Sequence, residues 1–416
     1  MDLLRKMPEL LAPAGDFERL EAAVRFGADA VYLGSTEYGM RAASANFGLP
    51  ELERAADYAH RHGARLYLTC NTLPRNEEMD RLGEFVREAG KTGVDAFIVS
   101  DIGVMALIKE MLPDAELHIS TQTGVVNYRT ASEFYKMGAK RVVLARELSL
   151  DEIKALRDKT PPELEIETFV HGAMCMSFSG RCVISNYLTG RDANRGQCAQ
   201  PCRWSYHLME EKRPGEFFPV FEDEAGSYIL NAKDLCMLEY IKELVGAGIS
   251  SFKIEGRAKS SYYVSVVVNA YRMAMDGYAA APEGWTLPSW LMDEVKKVSH
   301  RDYSTGFYFG RPESGQRCAD GGYVRTCDIA AVVEDCRDGR IFCRQKNKFE
   351  EGVMLSLLEP GKRPQEIAAF GLRDENGEPI KDTRHPAMAF SIAAPEGVCP
   401  VPGSILRREI LPSDEN

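Results

Sequence analysis

The stretch "HGAMCMSFSGRCVISNYLTGRDANRGQCAQPCRW", residues 171–204, places Cys175, Cys182, Cys198 and Cys202 in one short segment. A fifth thiol, Cys236, opens "AKDLCMLEYIKELVGAG", which reads as a helix. A disulfide, a zinc site, an iron–sulfur cluster and a catalytic thiol all begin from such a loop. The spacing is not that of paired C-x-x-C knuckles, so structural zinc stays open but disfavoured. A lone nucleophile needs no companion thiols, and disulfides are unstable in a reducing compartment. Several thiolates on irregular, Gly-containing backbone suit an iron–sulfur cluster, whose ligands must converge on one point. Packing as small hydrophobes is the remaining reading. It is the expectation for the cysteines from 318 onward, and Cys70, at a strand end, is either a spare thiol or core.

The elements that position this loop follow from periodicity. Short apolar runs occur at 9–15, 29–34, 65–71, 95–101, 116–122, 141–148, 163–172 and 251–257. Helical stretches such as "DFERLEAAVRFGA" and "SLDEIKALRDK" lie between most of them, with apolar residues at three- and four-residue spacing. Several stop at a glycine, as in "RFGADAV", "RHGARL", "KTGVDAF" and "KMGAKRV". Eight alternating units favour a (β/α)8 TIM-barrel-like domain over an open doubly wound sheet. That domain is expected over 1–280, with a long Cys-rich insertion at 173–250 after strand 7. An insertion there leaves the carboxyl end of a strand, the active-site face of such a barrel. A linker is expected at 281–317, and a small C-terminal β-barrel domain at 318–416, where short strands are divided by turns such as "RDGR" and "DENGEP".

Composition is ordinary for a globular chain of 416 residues, and no apolar run reaches the length of a membrane span. The opening "MDLLRKMPELLAPAGDF" lacks the apolar core of a signal peptide, so a cytoplasmic protein with no membrane contact is expected. A net charge of −11 argues weakly against a nucleic-acid partner, although a local basic face can sit on an acidic chain.

The blocks "ETFVHGAMCMSFSGRCVIS" (167–185), "NRGQCAQPCRW" (194–204), "KIEGR" (253–257) and "HRDYSTGFYFG" (300–310) resemble those of the collagenase-like peptidase family of unknown catalytic type. The opening "ELLAPAGDFERLEAAVRFGADAVYLG" is similar as well, and the resemblance covers nearly the whole chain. Its long form, with one barrel and a C-terminal β-barrel like that of translation factors, is similar to the branch acting in prephenate-dependent hydroxylation of tRNA wobble uridine to 5-hydroxyuridine. Other branches hydroxylate a ribosomal RNA cytidine or a quinone precursor without oxygen. The resemblance implies tRNA as substrate, prephenate as co-substrate and a paralogous family member as a potential partner. It also implies a [4Fe–4S] cluster on Cys175, Cys182, Cys198 and Cys236, with Cys202 as the alternative fourth ligand.

A dicarboxylate donor of that kind needs cations at strand ends, and Arg146, Lys253 and Arg257 stand there; arginine's planar fork suits carboxylates. Internal ion pairing at the barrel mouth is the competing reading for these residues and for Glu255, the candidate acid/base. Glu167 and His171 are expected to share one face of the seventh strand, with His171 as acid/base near neutral pH or simply a satisfied strand-end residue. His118 and Gln122 are expected as polar barrel lining. No His-Glu-x-x-His or Gly-x-Ser-x-Gly motif is present, so a peptidase would have to use Cys175 with His171. A third reading is an RNA-binding or scaffold protein using the basic runs "CRQKNKF", "GKRP" and "LRR" of the C-terminal domain, with Phe349 either stacking on a base or in the core.

Overall fold

The computed structural model describes residues 7–36, 38, 46–175, 177–178, 182–201, 204, 207–208, 218–219, 233–310 and 324–410. Cys202 and Cys318, both named above, lie outside these residues. Eight parallel strands close into a barrel: β1 (Glu9–Pro13), β2 (Ala30–Gly34), β3 (Arg65–Cys70), β4 (Ala96–Val99), β5 (Glu116–Ile119), β6 (Arg141–Val143), β7 (Glu165–Ala173) and β8 (Ser251–Ile254). Ser251 of β8 lies opposite Glu167 on one side and Glu9 on the other, so the closing strand leaves no free edge. Parallel strands buried on both faces need apolar residues at nearly every position. Leu11, Ala30, Tyr32, Tyr67, Ala96 and Ile98 fill the interior, while Leu10, Val31, Leu66 and Phe97 face the helices.

The helices start and stop where local chemistry dictates. Asp16 accepts from the backbone N–H of Arg19 at 2.9 Å to start Phe17–Arg25, and Asp101 caps Ile102–Met111 through Val104 N at 3.1 Å. Ser149 and Glu152 form a reciprocal capping box at Leu150–Arg157. The four expected stops, Gly27, Gly63, Gly93 and Gly138, all have positive φ, between 76° and 102°. Among the described residues no helix is long and apolar enough to cross a membrane.

Within the insertion, Asp234–Cys236 is a strand, not the start of a helix. It runs antiparallel to the end of β7 with Cys236 opposite His171, and helical structure begins only beyond it. The segment expected as a linker is packed. Its helix Ser289–Val295 buries Leu291 and Val295, Tyr303–Ser304 pairs with Asp234–Leu235, and Arg301 is held by Asp234 in a buried ion pair at 2.7 Å.

The C-terminal domain is a seven-stranded antiparallel sheet whose outermost strands, Gln365–Ala368 and Arg373–Asp374, do not pair with each other, so it forms a half-barrel. It packs on the first domain through Cys327, Leu358 and Ile405, and through a buried ion pair of Arg407 with Glu294 at 2.6 Å. Cys327 and Cys343 are buried as expected, but Cys336 and Cys399 are joined as a disulfide. Their Cα atoms stand 5.5 Å apart because the turn before the last strand folds back over the first strand of the domain.

Candidate active site

Inside the barrel the residues nearest the amino ends of the strands form a closed ionic floor. Arg141 donates to Glu9 at 2.6 Å, to Glu165 at 2.6 Å and to Glu167 at 3.0 Å, and Lys253 donates to Glu167 at 2.7 Å. Tyr67 donates to Glu9 at 2.6 Å, and His118 meets Glu116 at 2.8 Å. Burial alone disfavours an ionised Glu167, but Lys253 and Arg141 outweigh it and hold its carboxyl at about 2. Burial and the neighbouring Arg141 push the His118 imidazole below its ordinary value, which fits its expected place as barrel lining. Glu167, a catalytic candidate from sequence, is therefore an ion-pair centre of the floor.

His171 lies elsewhere. The pairing of β8 with β7 shifts register between Lys253 and Ile254, so that Phe169 lies opposite Lys253 and His171 opposite Ile254. Val170 is the extra residue of this bulge, and the alternation of side chains reverses across it. Glu167 and Phe169 face inward, whereas His171 packs against the rings of Tyr263 and Tyr271 on the outer helix Ser261–Ala280 and of Tyr303. The expectation that Glu167 and His171 share a face is corrected by this bulge. Burial pushes the His171 imidazole down to about 3, and its Nε2 is 3.3 Å from the Tyr303 hydroxyl.

Above the floor a cavity opens at the carboxyl ends of the strands. Arg146, Lys253, Glu255 and Arg257 all line it, as do Glu147, Tyr32, Thr69, Asn71, Phe169 and the Ser120–Gln122 turn. The Arg146 guanidinium lies 3.8 Å from the centre of the Phe169 ring, donates to the carbonyl of Ala173 at 2.9 Å, and stands 4.0 Å from the Glu255 carboxylate. Arg257 is buried and donates to Asn46 Oδ1 at 2.7 Å and Thr69 Oγ1 at 3.3 Å. Its guanidinium occupies the space where a side chain at residue 34 would stand, since a Cβ on Gly34 would lie 2.2 Å from Nη2. Glu255 accepts from the Tyr32 hydroxyl at 3.3 Å, and the Lys253 ammonium lies 4.4 Å from the centre of the Tyr32 ring. Such a mouth can grip a carboxylate-bearing ligand with forked guanidinium donors, with Glu255 placed to take or give a proton.

Cys175, Cys182 and Cys198 line the same cavity, Cys175 exposed and the other two half-buried. Cys236 is not among its described lining residues. It is buried in the main core beside Tyr271, and burial pushes its thiol up to about 12. Cys70 is core too, with its thiol also pushed up to about 12 by burial. Among the described residues no three His, Cys, Asp or Glu side chains stand close enough to hold a single metal ion. A four-iron cluster takes one thiolate per iron, so its ligands surround a larger body and need not crowd to that distance. Three thiols on one wall fit such a group in donor type.

Sequence reasoning missed Tyr32, Thr69, Asn71, Ser120, Thr121 and Phe169. Thr69, Asn71, Ser120 and Thr121 lie at or just past the carboxyl end of a barrel strand, so asking which uncharged residues occupy those ends was the available signal, whereas Tyr32 and Phe169 reach the cavity from mid-strand.

A model described as peptidase family U32 matches residues 15–317, and one for the C-terminal domain of that family matches residues 325–407. The chain is 36% identical to tRNA hydroxylation protein P1 of Bacillus subtilis (strain 168), over 92% of this chain and 91% of that protein. It is 38% identical to the 23S rRNA 5-hydroxycytidine C2501 synthase of Escherichia coli (strain K12), over 79% of this chain and 49% of that one. A collagenase of Porphyromonas gingivalis (strain ATCC BAA-308 / W83) is 34% identical over 73% of this chain and 74% of its own length.

Proposed function

Since the chain belongs to peptidase family U32, we propose that it hydroxylates tRNA, converting the wobble uridine to 5-hydroxyuridine with prephenate as co-substrate. The observation that carries this reading is the cavity at the barrel mouth, which gathers Arg146, Lys253, Arg257 and Glu255 beside three cysteines. Arg146 and Arg257 bind the carboxylates of the donor, because both guanidinium groups line the cavity and are fixed there by hydrogen bonds to the Ala173 carbonyl, Asn46 and Thr69. Lys253, already neutralised by Glu167, shapes the floor beneath the ligand. Glu255, steadied by Tyr32, moves a proton to or from the reacting base.

A [4Fe–4S] cluster would be held by Cys175, Cys182 and Cys198. Cys236 is the fourth ligand in this reading, with Cys202 as the alternative. When bound, such a cluster supplies an iron centre that can exchange an electron or act as a Lewis acid. The reading includes an oxygen-independent reaction in the cytoplasm and leaves room for a paralogous partner chain.

Nucleoside mass spectrometry of tRNA from a strain lacking this chain tests the activity. Loss of 5-hydroxyuridine, restored by the wild-type chain but not by Arg146→Ala or Cys175→Ala, is expected. Undiminished product in the deletion strain sinks the reading. Iron and acid-labile sulfide measured on anaerobically purified Cys→Ala variants test the ligand set separately; unchanged iron in Cys175→Ala, Cys182→Ala and Cys198→Ala rules it out.

The relative named collagenase and the exposed thiol of Cys175 favour a peptidase as the second reading. That reading needs a base beside the thiol, and no histidine is among the described residues lining the cavity.

A further inference from the structure

We infer that the outer lip of the cavity, built by the insertion after β7, is a stacking surface for the unpaired bases of an RNA loop. The inference rests on the RNA-hydroxylating reading and deepens it by naming how the substrate is held. Large apolar side chains are normally scattered singly on a protein surface, and a contiguous set marks an interaction site. Here the Tyr187 side chain is 88% exposed, Val183 73% and Phe178 52%. Val183 caps the helix Ile184–Thr189, so it and Tyr187 stand four residues apart on one face. Ile184, on the adjoining face of the same turn, lines the cavity, so the exposed face is continuous with the cavity wall. Phe178 lies over the end of the turn that carries the lining residues Thr121 and Gln122, its ring 3.5 Å from where a Cβ on Gly124 would stand.

The charge around this face selects the occupant. Residues 174–204 carry four arginines against one acidic residue, Asp192, in a chain of net charge −11. Arg191, just past the Gly190 stop of the helix, is exposed. The C-terminal domain offers no comparable surface in its first basic run, because Arg344 is paired with Glu334, Lys346 with Glu18 and Lys348 with Asp382. Exposed aromatic rings on a segment that also carries arginine, leading into a cavity with charged side chains in its wall, fit single-stranded nucleic acid: its bases expose both faces and its phosphates seek cations. A duplex hides those faces.

The test uses the full chain and fluorescence anisotropy, with a labelled anticodon stem–loop RNA and a blunt duplex of equal length as probes. The wild-type chain is expected to prefer the stem–loop, and Tyr187→Ala to weaken stem–loop binding about tenfold, near the middle of what a stacked base contributes. Tyr187→Phe, which keeps the ring, is expected to bind as wild type. Tyr187 is on the surface, so a circular dichroism spectrum matching wild type confirms that the variant is folded. Equal affinity for both probes, no binding of either, or wild-type binding by Tyr187→Ala overturns the inference. So does Tyr187-dependent self-association in sedimentation, which would assign the face to a second copy. Measuring 5-hydroxyuridine in the same strains separates the two ideas. Ring-dependent loop binding by a chain that makes no product sinks the activity and leaves the surface standing.

Discussion

The floor and the mouth of the barrel are both rich in charge, yet they treat it differently. On the floor each cation is answered by carboxylates: Arg141 by Glu9, Glu165 and Glu167, and Lys253 by Glu167. At the mouth Arg146 is held by a carbonyl with the Glu255 carboxylate 4.0 Å away, and Arg257 by an amide oxygen and a hydroxyl, with both guanidinium groups lining the cavity. Charge spent on a closed network rigidifies the fold, whereas charge fixed at the wall of a cavity can meet an anionic ligand.

Substitutions can break this contrast. Arg141→Ala takes the arginine from Glu9 and leaves Glu167 with Lys253 alone, and is expected to cost about 3–5 kcal/mol, read from urea unfolding. Arg146→Ala should cost less than Arg141→Ala, about 1 kcal/mol, since the one carboxylate it leaves, Glu255, stands 4.0 Å away and keeps the Tyr32 hydroxyl, while abolishing 5-hydroxyuridine formation. If both variants lose stability equally, the mouth is structural. Acidification probes the outer side of β7. His171 is neutral in the fold down to about pH 3, with Asp234, His300 and Lys259 as the charges that act on it, against an ordinary value of 6.5. The unfolded chain takes up that proton first, so stability falls as pH drops from 6.5 toward 3, and the slope should be shallower in His171→Phe. The smallest effect belongs to the exposed pair of Arg344 and Glu334. Arg344→Ala should cost no more than about 1 kcal/mol and leave RNA affinity unchanged.

The barrel was legible because its signals are local and repeated: buried apolar runs, capped helices and glycine stops. The charged strand-end residues Arg146, Lys253, Glu255 and Arg257 were legible for the same reason, since the end of a barrel strand is known once the strand is. What failed depended on pairing across distance. One extra residue at Val170 turned His171 away from Glu167, and that bulge exists only in the match of β7 to β8. Cys236 carried the periodicity of a helix but was claimed by an antiparallel edge on β7. Cys336 and Cys399 are 63 residues apart in sequence, and only the folding of their sheet brings them together. The basic runs of the C-terminal domain hid their pairing where the acidic partner is distant in sequence, as Glu18 is from Lys346 and Glu294 from Arg407. Phe349 is buried in that domain's core and cannot stack on a base.

The strand that closes the barrel also completes its chemistry. β8 supplies Lys253 to the floor, and the residues just after it supply Glu255 and Arg257 to the mouth, while its other edge docks on β1. A growing chain that has not yet made residue 251 therefore has Glu167 without its lysine and a mouth without two of its charged groups. The complete pocket is absent during synthesis. It comes into being in the same event that joins the two ends of the sheet, so an unfinished chain has no competent site with which to engage its substrate.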